Sequence, residues 1–127
     1  MRILADSNVF IDFWKKPTPK IIETFSSQDV VICGVIKAEL LHGAKSKENQ
    51  KKIKKALGEF DSLALEESDW TELGDLLCSL KAKGITVPFQ DAIIALIAVK
   101  YHVQLWTNDN HFHHIKSVLK DLQLYEE

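Results

Sequence analysis

Short apolar runs alternate with amphipathic helical stretches along this chain, and that alternation restricts the fold more than any other feature. Arg2 to Ala5 reads as a buried strand ending at Asp6, and Val30 to Cys33 is a second, β-branched run. Gly34 is expected to cap a helix that carries Ala38, Leu40 and Leu41 and stops near Gly43. Ser46 and Asn49 are candidate caps for the next helix, whose Ile53, Ala56, Leu57 and Phe60 repeat at the spacing of one buried face. Ser62 to Leu65 reads as a third strand. Ser68 is expected to cap a helix with Leu73, Leu76, Leu77 and Leu80 on one face, which Gly84 ends. Pro88 opens a helix through Val99 that is apolar all round, and so should be the most buried. Val103 to Thr107 reads as a strand, Phe112 to Leu119 as a short helix and Leu122 to Tyr125 as a last short strand. Such alternation builds βαβ units. The fold class is therefore α/β, a single domain over residues 1–127 with a mostly parallel central sheet flanked by helices. In sheets of this kind ligands bind outside the carboxyl ends of the strands.

Charge and cysteine content exclude several classes. A net charge of -2 gives no overall field to steer a polyanion, so a nucleic acid would need a local basic patch. Cys33 and Cys78, the only cysteines, lack CxxC spacing and read as small buried side chains in a reducing compartment. The sequence opens without a basic leader and long apolar stretch, and its longest apolar run, Ala92 to Val99, is too short to cross a bilayer. A cytoplasmic protein with no membrane partner is expected.

Four acids stand in apolar settings where carboxylates are uncommon. Asp6 ends the first strand and Asp109 follows the strand Val103 to Thr107 by two residues. Glu39 lies one turn into the helix after the second strand, and Asp91 in the first turn of the most apolar helix. Acids are seldom buried unless paired or bound to metal, and no Lys or Arg adjoins Asp6, Asp91 or Asp109 in sequence. Individually each could cap a helix or solvate a turn. Together they form a hard oxygen donor set suited to Mg²⁺ or Mn²⁺, the ions that assist phosphodiester hydrolysis.

Four segments carry a resemblance: Leu4-Ala5-Asp6-Ser7-Asn8-Val9-Phe10-Ile11-Asp12, Ala38-Glu39-Leu40-Leu41-His42-Gly43, Pro88-Phe89-Gln90-Asp91-Ala92-Ile93-Ile94-Ala95 and Thr107-Asn108-Asp109-Asn110-His111-Phe112. In order and spacing the chain resembles the PIN domain, and within it the VapC-type toxins of bacterial toxin–antitoxin pairs. The resemblance implies metal binding and catalysis by Asp6, Glu39, Asp91 and Asp109, with Ser7, Asn8 and Thr107 supporting them through hydrogen bonds. It implies a strand order of 3-2-1-4-5, a homodimer, a small VapB-like antitoxin, and Mg²⁺- or Mn²⁺-dependent endoribonuclease action on structured RNA such as tRNA or rRNA. Three positions need comment. His111 stands where the family often has a further acid, Gly34 where many members have Ser or Thr, and Asp12 reads as a helix-surface acid near the site.

Lys45, Lys47, Lys51, Lys52, Lys54 and Lys55 fall within eleven residues, leaving the apolar face of their helix free. They read either as a solvated helix surface or as a basic rim that neutralises RNA phosphates. His111, His113 and His114 read as a polar helix start or a phosphate contact. No serine or cysteine nucleophile motif and no Gly-rich phosphate loop is present. Two other functions compete with this endoribonuclease reading. A phosphoacceptor receiver domain needs adjacent acids after the first strand and a lysine after the last, but Ser7 follows Asp6 and no Lys follows the strand at Leu105. The alternative is a catalytically weak PIN-like RNA-binding or protein-binding module; such modules lose one or more acids, this chain keeps four, and metal-dependent cleavage separates the two readings.

Overall fold

The computed structural model describes residues 2–126, so the expected domain limits at Met1 and Glu127 lie outside the described residues. Strands β1 (Arg2–Ala5), β2 (Asp29–Cys33), β3 (Ser62–Leu63) and β4 (Gln104–Trp106) pair in parallel in the order β3-β2-β1-β4. Parallel neighbours need long crossovers. These are α1 (Ser7–Lys15) and α2 (Pro19–Ser27), then α3 (Gly34–His42) and α4 (Lys47–Leu57), then α5 (Asp69–Ala82) and α6 (Phe89–Lys100), with α7 (His111–Lys116) after β4. Leu4 stands opposite both Val31 and Leu105 at the centre of the sheet. Ile3, Leu4, Ala5 and Val30 to Cys33 are all buried, as expected of a parallel sheet covered on both faces.

Aromatic packing fixes the helices that carry the site. Phe10 of α1 meets Phe25 of α2 and Phe60 edge to face at centroid distances of 5.4 and 5.2 Å. Phe25 also meets Trp106 of β4, at 5.3 Å. On α6 every residue from Asp91 to Ala98 is buried, as its apolar circumference requires.

Several expectations are corrected. Among the described residues the sheet has four strands rather than five. The segment Leu122 to Tyr125 lies beside β4 in the expected place, but contributes only a parallel bridge between Leu124 and Leu105. The Leu105 N–H donates to the Gln123 carbonyl and the Tyr125 N–H to the Leu105 carbonyl, while the Leu122 N–H is held in a turn by Leu119. Gly34 is the first residue of α3, whereas Cys33 holds the cap position. Ser68 makes no capping bond; the Asp69 carboxylate instead accepts the Glu66 N–H. Cys33 is buried but Cys78 is exposed. It lies two residues from Leu76, about 200° around α5, and so misses the stripe of Leu73, Leu76 and Leu80. Helices α1 and α2 fill a stretch where the apolar periodicity gives no element. Their start signals are local: Asp6 caps α1, and Thr18 caps α2 with Pro19 in its first turn. Among the described residues no helix is long and apolar enough to cross a membrane.

Candidate active site

Parallel strands put all their carboxyl ends at one edge, and the chain turns there into the segments that hold the acids. Asp6 leaves β1 as the N-cap of α1, its Oδ1 accepting the Ser7 N–H at 2.8 Å. Asp109 lies three residues past β4, where the Thr107 hydroxyl oxygen accepts its N–H at 3.0 Å. Glu39 is the sixth residue of α3 and Asp91 lies in the first turn of α6.

Charge coupling links the carboxylates pairwise, Asp6 with Glu39, Asp91 and Asp109, and Asp91 with Glu39 and Asp109. Burial pushes the Asp6 carboxyl above the usual range; hydrogen bonds from Thr107, Ser7 and Asn8 oppose this, and the Asp109 charge adds to it. Burial likewise raises Glu39, assisted by the charges of Asp6 and Asp91 and opposed by the Ser7 hydroxyl. Burial raises Asp91 too, with Asp6 and Asp109 adding to the effect and His111 opposing it. Among the described residues no Lys or Arg pairs with any of the four. Glu39 Oε1 is buried without a hydrogen-bond partner among them. A buried acceptor left open costs about 1–3 kcal/mol.

Polar neighbours brace this cluster. The Thr107 hydroxyl donates to Asp6 Oδ2 at 2.7 Å and the Asn8 amide to the same oxygen at 3.2 Å. Asn8 Oδ1 accepts the Asn108 N–H at 3.1 Å, and the Asn108 amide donates to Asp12 Oδ2 at 2.9 Å. Asp12 is thus tied to the loop after β4 rather than being a plain surface acid. Asn108 is a supporting residue that the sequence pattern alone does not assign, and its place between Thr107 and Asp109 is the signal for it. His111 Nδ1 lies 3.3 Å from Asp91 Oδ2 and 3.1 Å from Asp109 Oδ1.

A groove of about 640 Å³ runs from Glu39 between α1, α3 and α4, floored by Ile11, Trp14, Leu40, Ile53 and Ala56. All six lysines of the basic run are exposed, but only Lys45 and Lys52 line this groove. Lys15 joins them from α1. Its signal is helical spacing, since Ile11, Trp14 and Lys15 share a face.

This arrangement of acids on a 3-2-1-4 parallel sheet coincides with a sequence match to the PIN domain over residues 3–118. The chain belongs to the PIN domain family. Among curated proteins no sequence matches it. Solved structures share the PIN fold at low identity. The VapBC-1 structure from nontypeable Haemophilus influenzae has 24% identity and a TM-score of 0.83, covering 99% of this chain and 98% of that one. VapBC2 from Rickettsia felis, bound to a promoter DNA fragment, gives 23% and 0.82, with 98% of both chains covered. DNA-bound VapBC from Salmonella typhimurium gives 22% and 0.82, covering 98% and 97%.

The residues fit a divalent cation. Their donors are hard carboxylate oxygens with no Lys or Arg partner among the described residues, and the open Glu39 Oε1 has the chemistry of a ligand. At Asp6 three acceptor positions are filled by Ser7, Thr107 and Asn8. A carboxylate has about four, so one remains for a cation.

Proposed function

We propose that this PIN domain is a Mg²⁺- or Mn²⁺-dependent endoribonuclease, the toxin of a type II toxin–antitoxin pair, cutting structured RNA such as tRNA or rRNA. The observation that carries the reading is the buried, unpartnered Glu39 Oε1 of an acid whose charge is coupled to Asp6 and Asp91, with Asp91 coupled in turn to Asp109. When bound, the cation would lower the pKa of a water and offset charge growing on the phosphate. The protein's share is positional. Ser7, Asn8 and Thr107 fix the Asp6 carboxylate, and Thr107 also holds the Asp109 backbone.

Lys15, Lys45 and Lys52 offer the RNA backbone positive charge beside an otherwise repulsive cluster. The remaining lysines of the run, Lys47, Lys51, Lys54 and Lys55, extend that charge along α4. A VapB-like antitoxin partner is supported by the VapBC complexes among the structural neighbours and by exposed Ile11 and Trp14 at the groove. A homodimer belongs to the same reading.

The test is single-turnover cleavage of total tRNA. The wild type should cut only with Mg²⁺ or Mn²⁺, and Asp6→Asn and Asp91→Asn should lose activity while keeping the far-UV circular dichroism of the fold. Full activity in Asp91→Asn, or cleavage that survives exhaustive chelation, would overturn this function.

A further inference from the structure

We infer that His111 supplies a nitrogen ligand to the cation held by Asp91 and Asp109, so that the site selects Mn²⁺ over Mg²⁺. This rests on reading the acidic cluster as a cation centre. One ligand atom from each of Asp91, Asp109 and His111 lies within 4.8 Å of the other two. His111 Nδ1 is 3.1 Å from Asp109 Oδ1 and 3.3 Å from Asp91 Oδ2. An octahedral ion with bonds of about 2.1 Å separates adjacent ligands by about 3.0 Å. The nitrogen therefore stands from each carboxylate oxygen at roughly the length of a coordination edge. The His111 N–H donates to Asp109 Oδ1 at 2.9 Å, which fixes the start of α7 over the acids.

The consequence follows from ligand chemistry. Mg²⁺ takes oxygen ligands and gives up water reluctantly, whereas imidazole favours first-row transition ions. A histidine in place of a further carboxylate also removes one negative charge from the ligand set. A histidinium merely ion-paired with the two acids would show the same distances, but would leave the ion with oxygen ligands only.

The experiment uses tag-free full-length protein, since five histidines are already present and a tag would add more. Mn²⁺ alone and Mg²⁺ alone are titrated by calorimetry, and electron spin echo modulation is recorded on the Mn²⁺-loaded protein. Mn²⁺ should bind more tightly than Mg²⁺, and its echo should carry ¹⁴N modulation. His111→Ala should abolish that modulation and weaken Mn²⁺ binding by at least about tenfold. His111→Asp should recover binding without the nitrogen signal and with less preference for Mn²⁺. Mn²⁺ binding that lacks nitrogen modulation in the wild type, or keeps it in His111→Ala, overturns the His111 role and leaves the cation centre standing. Failure of the wild type to bind Mn²⁺ overturns the centre and this inference together.

Discussion

At the scale of single residues, the site depends on who holds Asp6. The Thr107 hydroxyl is the shortest of its three hydrogen bonds and at the same time accepts the Asp109 N–H. One side chain therefore sets two of the four acids. Thr107→Val keeps the shape but removes both bonds. It should lower cation affinity and single-turnover rate by about 10–100-fold, the usual effect of removing a group that orients a ligand. Thr107→Ser keeps the hydroxyl and should retain most of both. Equal loss in the two variants would show that the methyl group, not the hydroxyl, matters. Asn8 is the weaker brace, since its amide reaches Asp6 at 3.2 Å and spends its other end on Asn108.

At the scale of elements, α4 separates charge that faces the site from charge that does not. Ser46 caps it, accepting the Asn49 N–H at 3.0 Å, and Ser46→Ala should cost about 1 kcal/mol by thermal unfolding. Lys45→Ala with Lys52→Ala should weaken RNA binding more than Lys47→Ala with Lys54→Ala, because only the first pair lines the groove at Glu39. Each lost phosphate contact lowers the salt slope by about 0.7–0.9, so the first pair should lower it by about 1.4–1.8. Binding to a non-cleaved RNA across a salt series measures this, and equal effects of the two pairs would place the RNA elsewhere. The same element shows why sequence could reach only part of the site. Charge and the apolar face of α4 are periodic and can be read directly. Which lysines turn toward Glu39 depends on how α4 packs on α1 and α3, and that is tertiary. Asp6, Asp91 and Asp109 can be singled out from sequence because strand ends and first helical turns are local features, and Glu39 because it is an acid inside an apolar helical run. Helix α6 was legible because its apolar circumference admits only burial. The last strand was overestimated because its apolar residues serve packing, while a turn at Leu122 limits its pairing to a single bridge. Cys78 is exposed rather than buried because an apolar neighbourhood in sequence is not an apolar face.

At the scale of the whole molecule, the acidic cluster sets stability against function. Expression of the wild type without a partner should arrest growth, while Asp6→Asn should not; normal growth with strongly expressed wild type would argue against a toxin. The physical origin of the trade-off is visible in the unfolding equilibrium. Asp6, Glu39 and Asp91 all have carboxyl pKa values raised in the folded state, chiefly by burial. An acid with a raised folded pKa stabilises fully below its unfolded value and loses that contribution as pH rises through the folded value. Unfolded carboxyls titrate near 4. In chelator, then, these three groups should make the protein progressively less stable as pH rises from about 4 through their raised folded values. Asp91→Asn removes one of them and its repulsion on the others, so its Tm should exceed that of the wild type increasingly as pH rises. A cation reverses the comparison. It binds the folded wild type and stabilises it by mass action, about 2.7 kcal/mol at one hundred times its Kd. With saturating Mn²⁺ at neutral pH the wild type should therefore melt above Asp91→Asn, and in chelator below it. Scanning calorimetry of both proteins at several pH values, with and without Mn²⁺, decides the matter. A difference in Tm that ignores both pH and the ion would mean that Asp91 is an ordinary buried acid.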